Sequence, residues 1–244
     1  MPATTKRINT WSSPRNVSTA LMYAFAQRED TCVFDEPLYA HYLSSSGRRT
    51  LHPGAEEILA SQEQDGNAVV RQVLLADHGK PIAFFKQMAH HLTGLDESFL
   101  LEMDNVLLIR DPRAIIHSYH KVIPNPSMED IGIKKMYGLF RLLREKGKLS
   151  AVVDSRELLS GPPSVLRQLC GKLSIPFDEK MLRWRPGARP EDGVWARYWY
   201  GRVHQSSGFE PYREQEFELP PRLEALASEC RPFYEALYDA AIKA

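Results

Sequence analysis

The chain has 244 residues, with 31 lysines and arginines against 31 aspartates and glutamates, so its formal charge is zero. Apolar residues make up 43% and charged residues 25%, the proportions of a globular protein that buries its own core without metals or disulfides. This neutrality argues against a nucleic-acid or acidic-membrane binder working through bulk charge; any polyanion must meet cations gathered in one place.

In chain order, Ile8 to Trp11 reads as a strand, followed by a polar loop and a helix from Ser18 through Gln27. Thr31 to Phe34 is a second strand ending in Asp35-Glu36, and residues 54 to 76 form two helical pieces interrupted at Asp65-Gly66. Ile82 to Phe85 and Val106 to Ile109 are further strands, the latter followed by a helix from Arg113 to His120. Ser127, with Asp130 in a capping-box arrangement, begins a long helix whose apolar stripe is Ile133, Met136, Leu139, Phe140 and Leu143. Leu149 to Val153 is a strand, Pro163 to Leu173 a helix, and residues 185 to 218 a long irregular segment. Pro221 to Ala241 closes the chain as a helix kinked at Pro232. The strands are short, apolar and unalternating, as strands buried on both faces are. Their alternation with helices predicts an α/β fold: a central parallel sheet flanked by helices on both faces, in one domain over 1–244.

Cys32, Cys170 and Cys230 stand far apart, with neither a disulfide framework nor zinc spacing, so no metal site is expected. The N-terminal MPATTKRINTW is polar, and no apolar run reaches membrane-spanning length. The expectation is a soluble cytoplasmic protein.

Ligands of such sheets bind beyond the carboxyl ends of the strands. After the first strand come Pro14-Arg15-Asn16-Val17-Ser18-Thr19, a loop with a cation that opens a helix. Free backbone N–H groups, hydroxyls and Arg15 suit an anion there, although the loop lacks the glycines and Gly-Lys-Ser/Thr of a Walker sequence. The plainer reading makes Ser18 a helix cap and Arg15 a solvated charge. After the fourth strand, Arg110-Asp-Pro-Arg113 leads into a helix bearing Ser118, a guanidinium and a hydroxyl suited to phosphate.

Together these two elements resemble the sulfotransferase family. Its members use 3′-phosphoadenosine 5′-phosphosulfate (PAPS) and carry Pro-Lys/Arg-Ser-Gly-Thr-Thr and Arg-Asp/Asn-Pro…Ser motifs in these places. A third block, Val152 to Leu159 with Val165 to Cys170 and Ile175-Pro-Phe177, looks like the family's late strand and helix. The resemblance implies a P-loop-like fold in which Arg15, Asn16, Val17, Ser18 and Thr19 hold the 5′-phosphosulfate. It likewise implies that Arg110 and Ser118 hold the 3′-phosphate, with PAP as the product. Val17 replaces the family's glycine, and Asn16 is the residue expected to take any left-handed turn in its stead.

Sulfuryl transfer to a hydroxyl needs a base for its proton and cations for the charge on the bridging oxygen. Arg15 and Lys86, at the end of the third strand, are the candidate cations. The candidate bases are Glu36, favoured, and His90 and His91, which lie four and five positions after Lys86 where the family carries Lys-Thr-His. Trp195 and Trp199 suit stacking on adenine, lining an acceptor pocket, or packing a loop onto the core. Arg197 and Arg202 are further candidates for phosphate contacts. The leading expectation is a sulfotransferase acting on a small hydroxylated or amine acceptor. The alternatives are a P-loop kinase-like phosphotransferase, with Asp35 holding magnesium, and a non-catalytic PAP- or nucleotide-binding protein.

Overall fold

A computed structural model describes residues 5–47, 49–214 and 216–244. Six strands form one parallel sheet: β1 (Lys6–Ser12), β2 (Thr31–Asp35), β3 (Ile82–Met88), β4 (Asp104–Ile109), β5 (Leu149–Asp154) and β6 (Ala241–Ile242). Their order across the sheet is β2-β3-β1-β4-β5-β6. The chain thus winds outward from β1 in both directions, which brings the loops after β1 and β4 together at the middle of the sheet.

The helices are α1 (Ser18–Ala26), α2 (Tyr39–Ser45), α3 (Ala55–Ser61), α4 (Gly66–Val69), α5 (Pro112–Tyr119) and α6 (Met128–Ile131). They continue with α7 (Ile133–Glu145), α8 (Ser155–Ser160), α9 (Pro162–Lys172), α10 (Ala196–Trp199) and α11 (Pro221–Tyr238). Alternate strand residues enter opposite cores: Ala151 and Val153 meet α1, α8 and α9 on one face, while Val152 meets α5, α7 and α11 on the other. Both faces are therefore apolar, and the unalternating strand pattern follows from that burial. A third, smaller core joins α2 and α3 to Trp195, Ala196 and Tyr200.

Three expectations are corrected. The helix begun at Ser127 is broken after one turn, because Gly132 takes a left-handed conformation (φ 72°) between α6 and α7. The capping box of Ser127 and Asp130 is formed, and all five stripe residues of α7 are buried. The last helix contains Pro232 but ends at Tyr238; Ala241–Ile242 then pairs with β5 as an edge strand, two residues too short to read from pattern. The segment 185–218, read as irregular, contains the short helix α10 near its middle and is tied to the sheet through Gly193 and Tyr200 on Asp35.

Candidate functional site

The loop between β1 and α1 turns at Arg15, whose φ is 56°. Val17 has φ −86° and is the N-cap of α1, so neither it nor Asn16 needs glycine's freedom. Asn16 instead spans the loop: its Nδ2 donates to the Leu108 carbonyl at 2.9 Å and its Oδ1 accepts from the Val17 N–H at 2.8 Å. No side chain caps α1, so Ser18 does not serve the cap role and the helix's first N–H groups carry their partial positive charge into the loop. Ser18 and Thr19 are buried there.

The β4–α5 motif lies directly against this loop. Arg15 Nε donates to Ser118 Oγ at 2.9 Å, and Arg110 donates to the Arg15 carbonyl at 2.5 Å. Burial lowers the pKa of both guanidinium groups, and for Arg110 the Arg15 charge adds to it. Among the described residues, neither has a carboxylate within ion-pair distance. Two half-buried cations, with no carboxylate in ion-pair contact among the described residues and Asp111 offsetting part of the burial effect on Arg110, leave this end of the crevice electropositive. Arg202 adds its field to Arg110 while pairing with Glu210; Arg197 pairs with Glu57 on α3.

One strand-pair away the logic reverses. The parallel register sets Asp35, Lys86 and Thr10 in one row across β2, β3 and β1. Lys86 is 1% exposed, and its Nζ donates to Asp35 at 2.7 Å, to Tyr200 Oη at 2.6 Å and to Glu36 Oε1. The Tyr200 hydroxyl donates to Asp35 at 2.8 Å and accepts from Trp195 Nε1 at 3.2 Å, while the Gly193 N–H donates to Asp35 at 3.1 Å. Burial opposes the Lys86 charge, but Asp35 and Glu36 outweigh it and its pKa is raised. Glu36 is pushed up to about 7, by burial first; Lys86 works against that shift and Asp35 with it. Glu36 also holds a left-handed backbone (φ 43°), one of three non-glycine residues to do so among those described. Two of those three, Arg15 and Glu36, stand in this crevice, strain of the kind that clusters at functional sites.

His91 stacks on Tyr39 and Tyr42 at 4.8 Å, with Nδ1 4.0 Å from Glu36 Oε2. Burial, then His90, His52 and Lys86, hold it well below the usual imidazole range, so its ring is neutral. His90 lies behind it, edge-on to Tyr42 and His91. The structure therefore sets Glu36 against Lys86, with His91 beside Glu36 and His90 further out.

Residues 193–200 close over both halves. Trp199 lies above Arg15, 5.8 Å from its guanidinium, and stacks on Tyr119 of α5. Trp195 is buried edge-on to Tyr39, which is the core-packing role. Sequence reasoning missed Asp35 and Tyr200 as partners of Lys86. For Asp35 the pointer was its place beside Glu36 at the end of β2; for Tyr200 it was an aromatic-rich segment of open purpose.

The family described as "Sulfotransferase domain" matches residues 6–241. Two proteins of Arabidopsis thaliana, named branched-chain-amino-acid aminotransferase-like proteins 2 and 1, are each 38% identical over 231 residues. The match covers 94% of this chain but 41% of each relative, so the chain spans about two fifths of their length. The solved sulfotransferase domain of the Synechococcus PCC 7002 olefin synthase has 19% identity and a TM-score of 0.56, covering 93% of this chain and 96% of that one. The sulfotransferase domain from the curacin biosynthetic pathway has 15% identity and a TM-score of 0.51, covering 93% and 98%. At such identity the likeness is one of fold. No helix among the described residues is long and apolar enough to cross a membrane.

Proposed function

The chain belongs to the sulfotransferase domain family, and from that membership we propose that it moves the sulfuryl group of PAPS to a hydroxyl or amine of a small-molecule acceptor in the cytoplasm. The observation that carries this reading is the pair of half-buried guanidinium groups, Arg15 and Arg110, without a carboxylate partner among the described residues. They fit a donor that brings several negative charges, as do the uncapped start of α1 and the buried Ser13 hydroxyl, which has no hydrogen-bond partner among the described residues. PAPS supplies an activated sulfuryl group whose leaving oxygen sits on a phosphate.

This chain's residues have the following roles. Arg15 with the N–H and hydroxyl groups of Asn16 to Thr19 orients the phosphosulfate, and Arg15 neutralises charge growing on the leaving oxygen. Arg110 and Ser118 receive the 3′-phosphate. Glu36, with its proton poised near neutrality, takes the acceptor proton at a carboxylate oxygen. Lys86 keeps that carboxylate fixed and, once Glu36 is protonated, remains balanced by Asp35. His91, neutral and adjacent, orients Glu36; His90 supports His91. Trp199 over Arg15 excludes water from the cation.

The kinase alternative needs Asp35 as a magnesium ligand, yet Asp35 already accepts from Lys86, Tyr200 and the Gly193 N–H. Thermal shift with PAP, PAPS, and ATP plus magnesium, followed by radiosulfate transfer, tests all three readings. PAP stabilisation with transfer is expected. Preferential stabilisation by ATP–magnesium would favour a kinase, and PAP binding without transfer an inert binder.

A further inference from the structure

An ammonium buried away from water needs a partner for each of its three N–H bonds. Lys86 finds them in Asp35 at 2.7 Å, in Glu36, and in the hydroxyl of Tyr200 at 2.6 Å. Two of these partners are carboxylates, and one of those, Glu36, changes charge when it takes a proton. Tyr200 is of a different kind. Its hydroxyl accepts from Lys86 and from Trp195 Nε1 at 3.2 Å, and gives its single proton to Asp35 at 2.8 Å. Burial, with the charges of Asp35 and Glu36, holds its pKa well above the ordinary phenol range, so it stays neutral.

Lys86, Asp35 and Tyr200 thus close a triangle of hydrogen bonds, with Glu36 attached at the Lys86 corner. When the acceptor O–H bond breaks and its proton joins a Glu36 carboxylate oxygen, the ion pair between Glu36 and Lys86 becomes a weaker contact with a neutral acid. An ammonium held by carboxylates alone would then be drawn to Asp35. The Tyr200 oxygen is an anchor whose hold does not depend on the Glu36 proton. It also stands at the border with the donor loop. The preceding residue, Trp199, covers Arg15, and the Thr19 hydroxyl at the start of α1 reaches Tyr200 as well.

We propose that Tyr200 is a positioning residue for the proton transfer, its hydroxyl keeping the Lys86 ammonium beside Glu36 in both protonation states of that carboxyl. It acts through Lys86 rather than on either substrate. This rests on the sulfotransferase reading with Glu36 as base.

The titratable groups packed around Glu36 are Asp35 of β2, Lys86 of β3, His91 after it, Tyr39 of α2 and Tyr200. Without the Tyr200 oxygen, Lys86 turns to its two carboxylates, which favours ionised Glu36. Losing the Tyr200 proton bares more of the Asp35 charge and opposes this, but Lys86 bears on Glu36 more strongly than Asp35 does.

The test titrates protein labelled with 13Cδ-glutamate by NMR, a measurement that needs no acceptor, with the Glu36 signal assigned by its loss in Glu36→Gln. The native midpoint is expected at about 7, and that of Tyr200→Phe lower by about half a unit or more. Tyr23→Phe is the control: Tyr23 donates to Asp192 at 2.7 Å, so it anchors the same closing segment through Asp192 rather than through Lys86. It is expected to leave the midpoint unchanged even where it lowers Tm. Where Tyr200→Phe fails to fold, 3-fluorotyrosine in place of Tyr200 keeps the hydroxyl but makes it a weaker acceptor from Lys86 and a stronger donor to Asp35. Its midpoint is expected to fall by a smaller amount. PAP affinity by calorimetry should stay level with the native protein in all three. A midpoint that does not fall in whichever Tyr200 variant folds, or that falls equally in Tyr23→Phe, overturns the proposal. A native protein that does not bind PAP overturns the sulfotransferase reading, and with it the role in transfer, whatever the titration shows.

Discussion

The two halves of the crevice solve opposite electrostatic problems with similar residues. Around Arg15, Arg110 and Ser118, positive charge is half-buried with no carboxylate to meet it among the described residues, and the groups lean on a backbone carbonyl and a hydroxyl. Around Lys86, the cation is buried more deeply but is surrounded by Asp35, Glu36 and Tyr200. Under the proposed function, the donor completes the first half, while the second is already paired within the protein and exchanges a proton. A binding site keeps its charge unpaired, whereas a proton-transfer site pairs its charges and leaves one pKa near neutrality.

That contrast can be broken experimentally. The largest effect is expected from Glu36→Gln, which should lower turnover about 10²- to 10⁴-fold while leaving PAP affinity intact by calorimetry. Lys86→Met strands two buried carboxylates and should cost about 3–5 kcal/mol in denaturant unfolding. The same change at Arg110 should leave stability level or improved. Equal losses at the two positions would erase the distinction. Arg110→Ala should weaken PAP about 10- to 100-fold and adenosine 5′-phosphosulfate much less, a charged hydrogen bond being worth about 1.5–3 kcal/mol. Equal loss for the two nucleotides would contradict its 3′-phosphate role.

A pH titration sharpens the second half. The Glu36 pKa is raised on folding, so the folded state holds the proton more tightly than the unfolded one. Its contribution to stability is present below the ordinary carboxyl range and is lost as pH rises through about 7. Activity should rise through the same range as the base ionises. Both trends should vanish in Glu36→Gln. The smallest effect is expected from Ser118→Ala, a few-fold loss in PAP affinity, since one neutral hydrogen bond is worth about 0.5–1.5 kcal/mol.

The sheet and the first half of the site were legible because they are local. Strand, loop and helix follow one another within Ile8 to Ala26 and again within Val106 to Tyr119, and the parallel order brings the two loops together. The left-handed turn was assigned to the wrong residue, because Asn16 has the right conformational tolerance but its side chain is used to bridge to β4. The Lys86 cluster was only partly legible. Glu36 shows itself just after β2, and Lys86 as a cation near the end of β3, which runs on to Met88 rather than stopping at Phe85, whereas Tyr200 joins them across 114 residues of sequence, a pairing that no window of periodicity contains.

The tie between Asp35 and residues 193–200 has a consequence for synthesis. A side chain at Gly193 would collide with the Trp195 ring at 2.2 Å, so this bend tolerates glycine alone if Trp195 and Tyr200 are to reach their places. Chains emerge from the ribosome amino end first. β2 and β3 therefore exist for the time it takes to make more than a hundred further residues before Tyr200 arrives to cover Lys86 and Asp35. β6, which borders β5, comes later still. A chain truncated before residue 193 would carry an uncovered lysine and two carboxylates in a half-built interior, a state that quality-control proteases can recognise. The closing segment thus completes an interior that the earlier strands leave open.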